Sequence, residues 1–128
     1  MRDRQRAAAL VHVAPRRHVI VDATAIAGDA VRAADGDDGA LVVVLQDGIL
    51  GAITSVADAD AADPSTPVLA VADLDPPTTR PDVTAEDLVE RLQDEELAWV
   101  AITTAGGRFL GAVDGAGLME LARRDELP

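Results

Sequence analysis

Two spacings of apolar residues alternate along this chain. Between Thr84 and Gln93 the apolar residues fall at Ala85, Leu88, Val89 and Leu92, with Glu86, Glu90 and Arg91 between them. Intervals of three and four put that set on one face of a helix. Thr84 stands just ahead, its hydroxyl suited to accept from a free first-turn amide, and Asp87 follows three residues on as in a capping box. Ala27, Ala30, Val31 and Ala34 draw the same stripe earlier, in smaller residues, with Gly28 inside it and the phase two residues off. After each stripe the period becomes that of strands. Segments 40–45 and 49–53 flank Gln46-Asp47-Gly48, whose Asp-Gly step favours a tight hairpin. Segments 99–103 and 109–113 flank Ala105-Gly106-Gly107-Arg108 in the same way. Short helical stretches follow at 56–62 and 118–124, and lead-in strands are expected at 18–21 and 68–72. Each half therefore reads β-α-β-β-α.

The halves also share residues. Asp22, Thr24 and Ala25 recur as Asp82, Thr84 and Ala85, and Leu50, Gly51 and Ala52 recur as Leu110, Gly111 and Ala112, every pair sixty positions apart. The predicted fold class is α/β (α+β), two tandem β-α-β-β-α units related by pseudo-two-fold symmetry. The segmentation this implies is a basic tail over 1–9, a first unit over 10–64 and a second over 65–128, with Asp75-Pro76-Pro77 barred from helix by its prolines.

Composition removes several functions. No run of about eighteen apolar residues is present, so no membrane association through a spanning helix is expected, and cytoplasm is the default location. The absence of cysteine excludes disulfides, thiol catalysis and thiolate metal sites. The net charge is −12, but residues 1–18 hold five Arg against Asp3, so the rest carries −16 and repels nucleic acid. Trp99 and Phe109 are the only aromatic residues, too few for a base-stacking surface. His12 and His18 have no third imidazole to complete a zinc site. No nucleophile elbow or phosphate-binding glycine loop occurs, so no catalytic residue is assigned and the chain is expected not to be an enzyme.

The order of elements, the Asp-x-Thr steps Asp22-Ala23-Thr24 and Asp82-Val83-Thr84, and the steps Leu50-Gly51 and Leu110-Gly111 together resemble the CBS domain. Two in tandem resemble the pair called a Bateman module, over about residues 10–125. The resemblance implies a non-catalytic regulatory module that senses an adenosine-containing ligand in the cleft between its units. The family's ligand signature is a glycine, two apolar residues, Ser or Thr, two variable residues, and an Asp that accepts from both ribose hydroxyls. The first unit reads Gly51-Ala52-Ile53-Thr54-Ser55-Val56-Ala57-Asp58, with Thr54 at the hydroxyl position, Ala57 at the ribose position and Asp58 one residue beyond it. The second reads Gly111-Ala112-Val113-Asp114-Gly115-Ala116-Gly117, with Asp114 at the hydroxyl position and Gly117 at the ribose position.

The candidate ligand-binding residues are therefore Thr54, Asp58 and Asp114, with His18 and Thr79 facing the cleft from the lead-in strands. Thr54 and Asp114 are equally suited to capping the helices that follow them. No cofactor is certain; an adenosine-containing ligand is the candidate. The acidic sets Asp35, Asp37, Asp38 and Asp58, Asp60, Asp63 offer hard oxygens, but such runs are usually solvated faces and no metal site is assigned. Three competing functions remain: ligand sensing, a ligand-free dimerisation or protein-interaction role with lost nucleotide sites, and, after these, a divalent-metal sensor. A homodimer is expected, because Leu118, Met119, Leu121 and Ala122 spread apolar surface over more than one helical stripe. A regulated protein partner would complete the module.

Overall fold

The computed structural model describes residues 6–124. In chain order the elements are α1 (Ala7–Val13), β1 (His18–Val21), α2 (Ala27–Ala34), β2 (Leu41–Gln46), β3 (Ile49–Ser55) and α3 (Val56–Ala61). Then follow α4 (Val68–Val71), β4 (Thr78–Thr79), α5 (Ala85–Asp94), β5 (Trp99–Thr103), β6 (Phe109–Asp114) and α6 (Gly115–Arg123). They form two units, Arg17–Pro76 and a second made of the described residues up to Arg16 together with those from Pro77 onward. Both units hold the β-α-β-β-α order.

In the Arg17–Pro76 unit, β1 pairs with β2 in parallel, from His18 opposite Leu41 to Val21 opposite Val44. β2 turns into β3 through Asp47 and Gly48 at φ 54° and 82°. Two consecutive positive φ values make the mirror-image turn that matches strand twist, which Asp-Gly adopts readily. β3 returns antiparallel, with Val44 opposite Ala52 but Leu45 opposite Leu50, so Gly51 is the extra residue of a bulge. The helix-covered face buries Ala30 and Ala34 of α2, Val42 and Val44 of β2, Ala52, Val56 and Val68. That face is built largely of small side chains.

The other unit repeats this with larger ones. β4 pairs in parallel with β5, and β5 antiparallel with β6, where Ile102 opposes Gly111 and Thr103 opposes Phe109, leaving Leu110 as the bulged residue. Its core gathers Leu88 and Leu92 of α5, Val100, Ile102, Val113 and Leu118, together with Ala7 and Leu10 of α1. Leu10, Leu88 and Leu118 are wholly buried. Each such side chain contributes about 1.5–3 kcal/mol relative to exposure. Thr84 caps α5, its Oγ1 accepting from the Asp87 amide at 3.2 Å, as its sequence position predicts.

Four expectations change. The apolar run over 68–72 predicts a lead-in strand; instead Val68–Val71 is the short helix α4, and the strand is Thr78–Thr79 after the two prolines. A run of Val, Leu, Ala and Val fits either period. Pro67, with φ fixed at −58°, sets the helix entry, and Val68 anchors it in the core. The basic tail over 1–9 runs into helix α1, which begins at Ala7 and places Ala7 and Leu10 in the core. The segmentation at 64/65 leaves α4 with the second half; in the structure α4 packs within Arg17–Pro76 and α1 within the other unit. Finally, the sixty-residue matches are not structural equivalents. The helix caps Ile26 and Thr84 are fifty-eight apart, as are the strand partners Val44 and Ile102. The second hairpin's loop is one residue longer, so β3 and β6 correspond at fifty-nine, Ala52 with Gly111.

Candidate functional site

Strand register decides which residues occupy the site. Ser55 opposes Leu41 at the end of β3, and Asp114 opposes Trp99 at the end of β6. Each is the N-cap of the helix that follows: Ser55 Oγ accepts from the Asp58 amide at 3.0 Å, and Asp114 Oδ2 accepts from the Gly117 amide at 2.8 Å. Ser55 thus corresponds to Asp114, and Asp58 to Gly117. Gly51 is itself the bulged residue of its hairpin whereas Gly111 follows the bulge of the other, so counting from the glycine places the first unit's signature one residue early. Ser55 is the N-cap of α3 and Asp58 its third helical residue.

Thr54 is buried in β3, opposite Val42. By alternation it shares the helix-covered face with Ala52, and it corresponds to Val113, a core residue of the other unit. It caps nothing; Ser55 does. Asp58 is exposed on α3, its amide engaged with the cap and its carboxylate at the surface.

Asp114 keeps the cap role and adds an ion pair. Its Oδ1 lies 3.1 Å from Arg16 Nη1, with the two side chains about three-quarters buried. Both carboxylate oxygens are therefore engaged, one by a helix amide and one by a guanidinium. Backbone bonds reinforce the arrangement: the Asp114 amide donates to Ala14 O at 2.8 Å and the Arg16 amide to Ala112 O at 3.0 Å. Gly117, the third residue of α6, supplies no side chain.

His18 opens β1, half-buried, opposite Leu41, and Thr79 ends β4, buried, opposite Ile102. They are not equivalents: Val21 corresponds to Thr79. The acidic segments are used locally. Asp37 is ion-paired with Arg17, Oδ2 to Nε at 2.9 Å, and its Oδ1 accepts from the Gly39 amide at 3.1 Å. The Thr24 hydroxyl and amide hold the Asp22 carboxyl below its ordinary value, and Ser65 does the same to Asp63. Among the described residues no three His, Asp or Glu side chains are grouped to hold a metal ion. No helix there is long and apolar enough to cross a membrane. Reading the sequence by motif misses Ser55 and Arg16. For Ser55 a local signal exists, since Ser55-Val56-Ala57-Asp58 has the spacing of a capping box.

No family model matches the sequence, and no curated protein matches it. Solved structures do match in fold. The crystal structure of CBSX2 in complex with AMP has a TM-score of 0.75 at 16% identity, covering 95% of this chain and 98% of that one. The CBS domains of a transcriptional regulator from Streptococcus pneumoniae give 0.71 at 17% identity, over 87% and 97%. The cytosolic domain of the Mg2+ channel MgtE in complex with ATP gives 0.71 at 20%, over 81% of this chain but 44% of that chain, so this chain spans under half of that domain.

Proposed function

We propose that this chain, which has the fold of tandem CBS domains, is a non-catalytic regulatory module that takes an adenosine-containing ligand through its Arg17–Pro76 half. The observation that carries this is the cap geometry of α3. Ser55 and Asp58 stand in the register of the ligand signature, and Asp58 presents a carboxylate that can accept from both hydroxyls of a ribose, a charge-assisted pair of bonds. Two of the structural relatives were crystallised with ATP or AMP, which supports the ligand class. The module acts in the cytoplasm, as a homodimer, on a partner protein that its ligand state controls.

The surrounding charge of −16 over residues 19–128 disfavours a triphosphate, so adenosine or a cationic adenosyl compound is preferred. In the other half the engaged Asp114 carboxylate and the bare Gly117 favour the second reading, an interaction module without a ligand. Thermal melting with adenosine, S-adenosylmethionine, AMP and ATP, with and without Mg2+, separates the two. A ligand at one hundred times its dissociation constant adds about 2.7 kcal/mol, a shift of several degrees. The shift should vanish in Asp58→Asn. No shift with any compound would leave the interaction module.

A further inference from the structure

Most arginines of this acidic chain have a carboxylate partner. Arg16, Arg17, Arg32, Arg91, Arg123 and Arg124 are each ion-paired. Among the described residues Arg6, Arg80 and Arg108 are not, and all three belong to the unit that holds α5. They gather at one end of it. Arg6 bridges Thr84, and its Nη1 donates to Asp82 O at 3.2 Å in the connection from β4 to α5. Arg80 follows β4 directly, its Nη1 donating to Thr103 Oγ1 at 2.9 Å and to Thr104 O at 3.0 Å. Arg108 closes the β5–β6 loop, its amide donating to Thr104 Oγ1 at 3.1 Å. Thr104 thus ties Arg80 and Arg108 to the same turn. Asp82 and Asp87 lie in the same stretch, exposed, and neither pairs with any of the three.

A buried hydroxyl holds one of these cations in place. Thr103 is 3% exposed, and its oxygen accepts from the exposed Arg80, which leaves Nε and Nη2 of a fixed guanidinium plane facing solvent. A planar fork set in advance loses less freedom when it takes a carboxylate. The fold itself does not demand this device. In the Arg17–Pro76 unit the strand and helix registers put Leu45 where Thr103 stands, and Pro67, Asp22 and Ile49 where Arg6, Arg80 and Arg108 stand. None of those is basic.

We infer that this end of the unit docks an acidic segment of the partner protein, whose carboxylates are taken by Arg6, Arg80 and Arg108. All three are exposed, so the surface is open and suits a chain segment more than an enclosed small molecule. A long polyanion such as nucleic acid would run past the patch onto a body carrying −16 over residues 19–128, whereas a short acidic segment stays within it. This rests on the reading of a controlled partner above and adds what that partner presents. The probe is a fluorescent octaglutamate peptide, titrated with the full chain at low salt and read by polarisation beside an eight-base oligothymidylate. Octaglutamate should bind and weaken as salt rises. Arg80→Gln and Arg108→Gln should each weaken it about two- to fivefold, and the double variant about tenfold. Arg32→Gln, already paired with Asp29, should leave it unchanged. Arg108 makes no side-chain bond among the described residues, so its variant carries the test if Arg80→Gln unfolds. No octaglutamate binding, a double variant within about twofold of the parent, an equal loss in Arg32→Gln, or tighter binding of oligothymidylate overturns the docking end. A melting shift with an adenosyl ligand that persists in any of these cases leaves the ligand module standing.

Discussion

Replacing Gly115 by alanine sets two familiar effects against each other. In an open helix position the exchange gains about 0.5–1 kcal/mol, because alanine loses less backbone freedom. Gly115 is the first residue of α6, and a Cβ there would lie 2.7 Å from Leu97 O and 2.8 Å from Ala98 O, both backbone atoms that cannot rotate aside. Relieving such overpacking costs about 1–3 kcal/mol. The natural relief, drawing α6 away from β5, stretches the 2.8 Å hydrogen bond from the Gly115 amide to Ala98 O, worth about 1 kcal/mol. The loss wins, by about 2 kcal/mol. Trp99, the only tryptophan, pairs with Asp114 in the same unit and reports its unfolding by fluorescence. At a urea slope of about 2 kcal/mol/M the midpoint should fall by about 1 M with the slope unchanged. Gly117→Ala is the control: its Cβ would meet Asp114 Oδ2 at 3.2 Å and Ala14 Cβ at 3.6 Å, contacts that small shifts relieve, and it should be near neutral. A Gly115→Ala midpoint equal to the parent's, or below-parent stability only for Gly117→Ala, would refute the close approach of α6 to the 97–98 carbonyls.

Leu10→Ala should cost about 2–5 kcal/mol, since Leu10 is wholly buried against α5 and α6; a change under 0.5 kcal/mol in the same urea assay would detach α1 from that core. Thr54→Val should keep both stability within about 1 kcal/mol and any ligand shift, whereas Ser55→Ala should lose about 1 kcal/mol of capping; equal behaviour of the two would contradict the assignment of the cap. Asp22 titrates below its ordinary 3.8 when folded, so its contribution is present above that value and is lost as pH falls through the lower folded value. In Thr24→Val, which removes the hydroxyl bond and keeps the amide one, acid titration of stability should show a smaller increment below about pH 4; unchanged acid limbs in parent and variant would show that the Thr24 hydroxyl bond does not form.

Much of this architecture is legible in the sequence. The α5 stripe, its Thr84 cap, the Asp47-Gly48 turn and the strand pairs emerge from periodicities that backbone geometry imposes locally. What escapes depends on tertiary context. Val68–Val71 is four apolar residues, too short for its period to choose between strand and helix; the burial of Val68 makes the choice. The site shifts by one residue because Gly51 sits in the bulge of its hairpin while Gly111 follows the bulge of the other, so the two glycines are not equivalents. A repeated Leu-Gly-Ala triplet anchors the alignment at sixty, where hydrogen-bond register places it at fifty-nine. Arg16 is distant from Asp114 in sequence, and no local pattern announces their pairing.

The position of α1 bears on how the protein is made. It precedes Arg17–Pro76 in the chain yet belongs to the core completed by α5, β5, β6 and α6. During synthesis at roughly 5–20 residues per second, the whole intervening unit is translated before that core can begin to close, a delay of several seconds. For that interval Ala7 and Leu10 have no native partner, while Arg17–Pro76 can already assemble. α1 is made before that unit and docks after it.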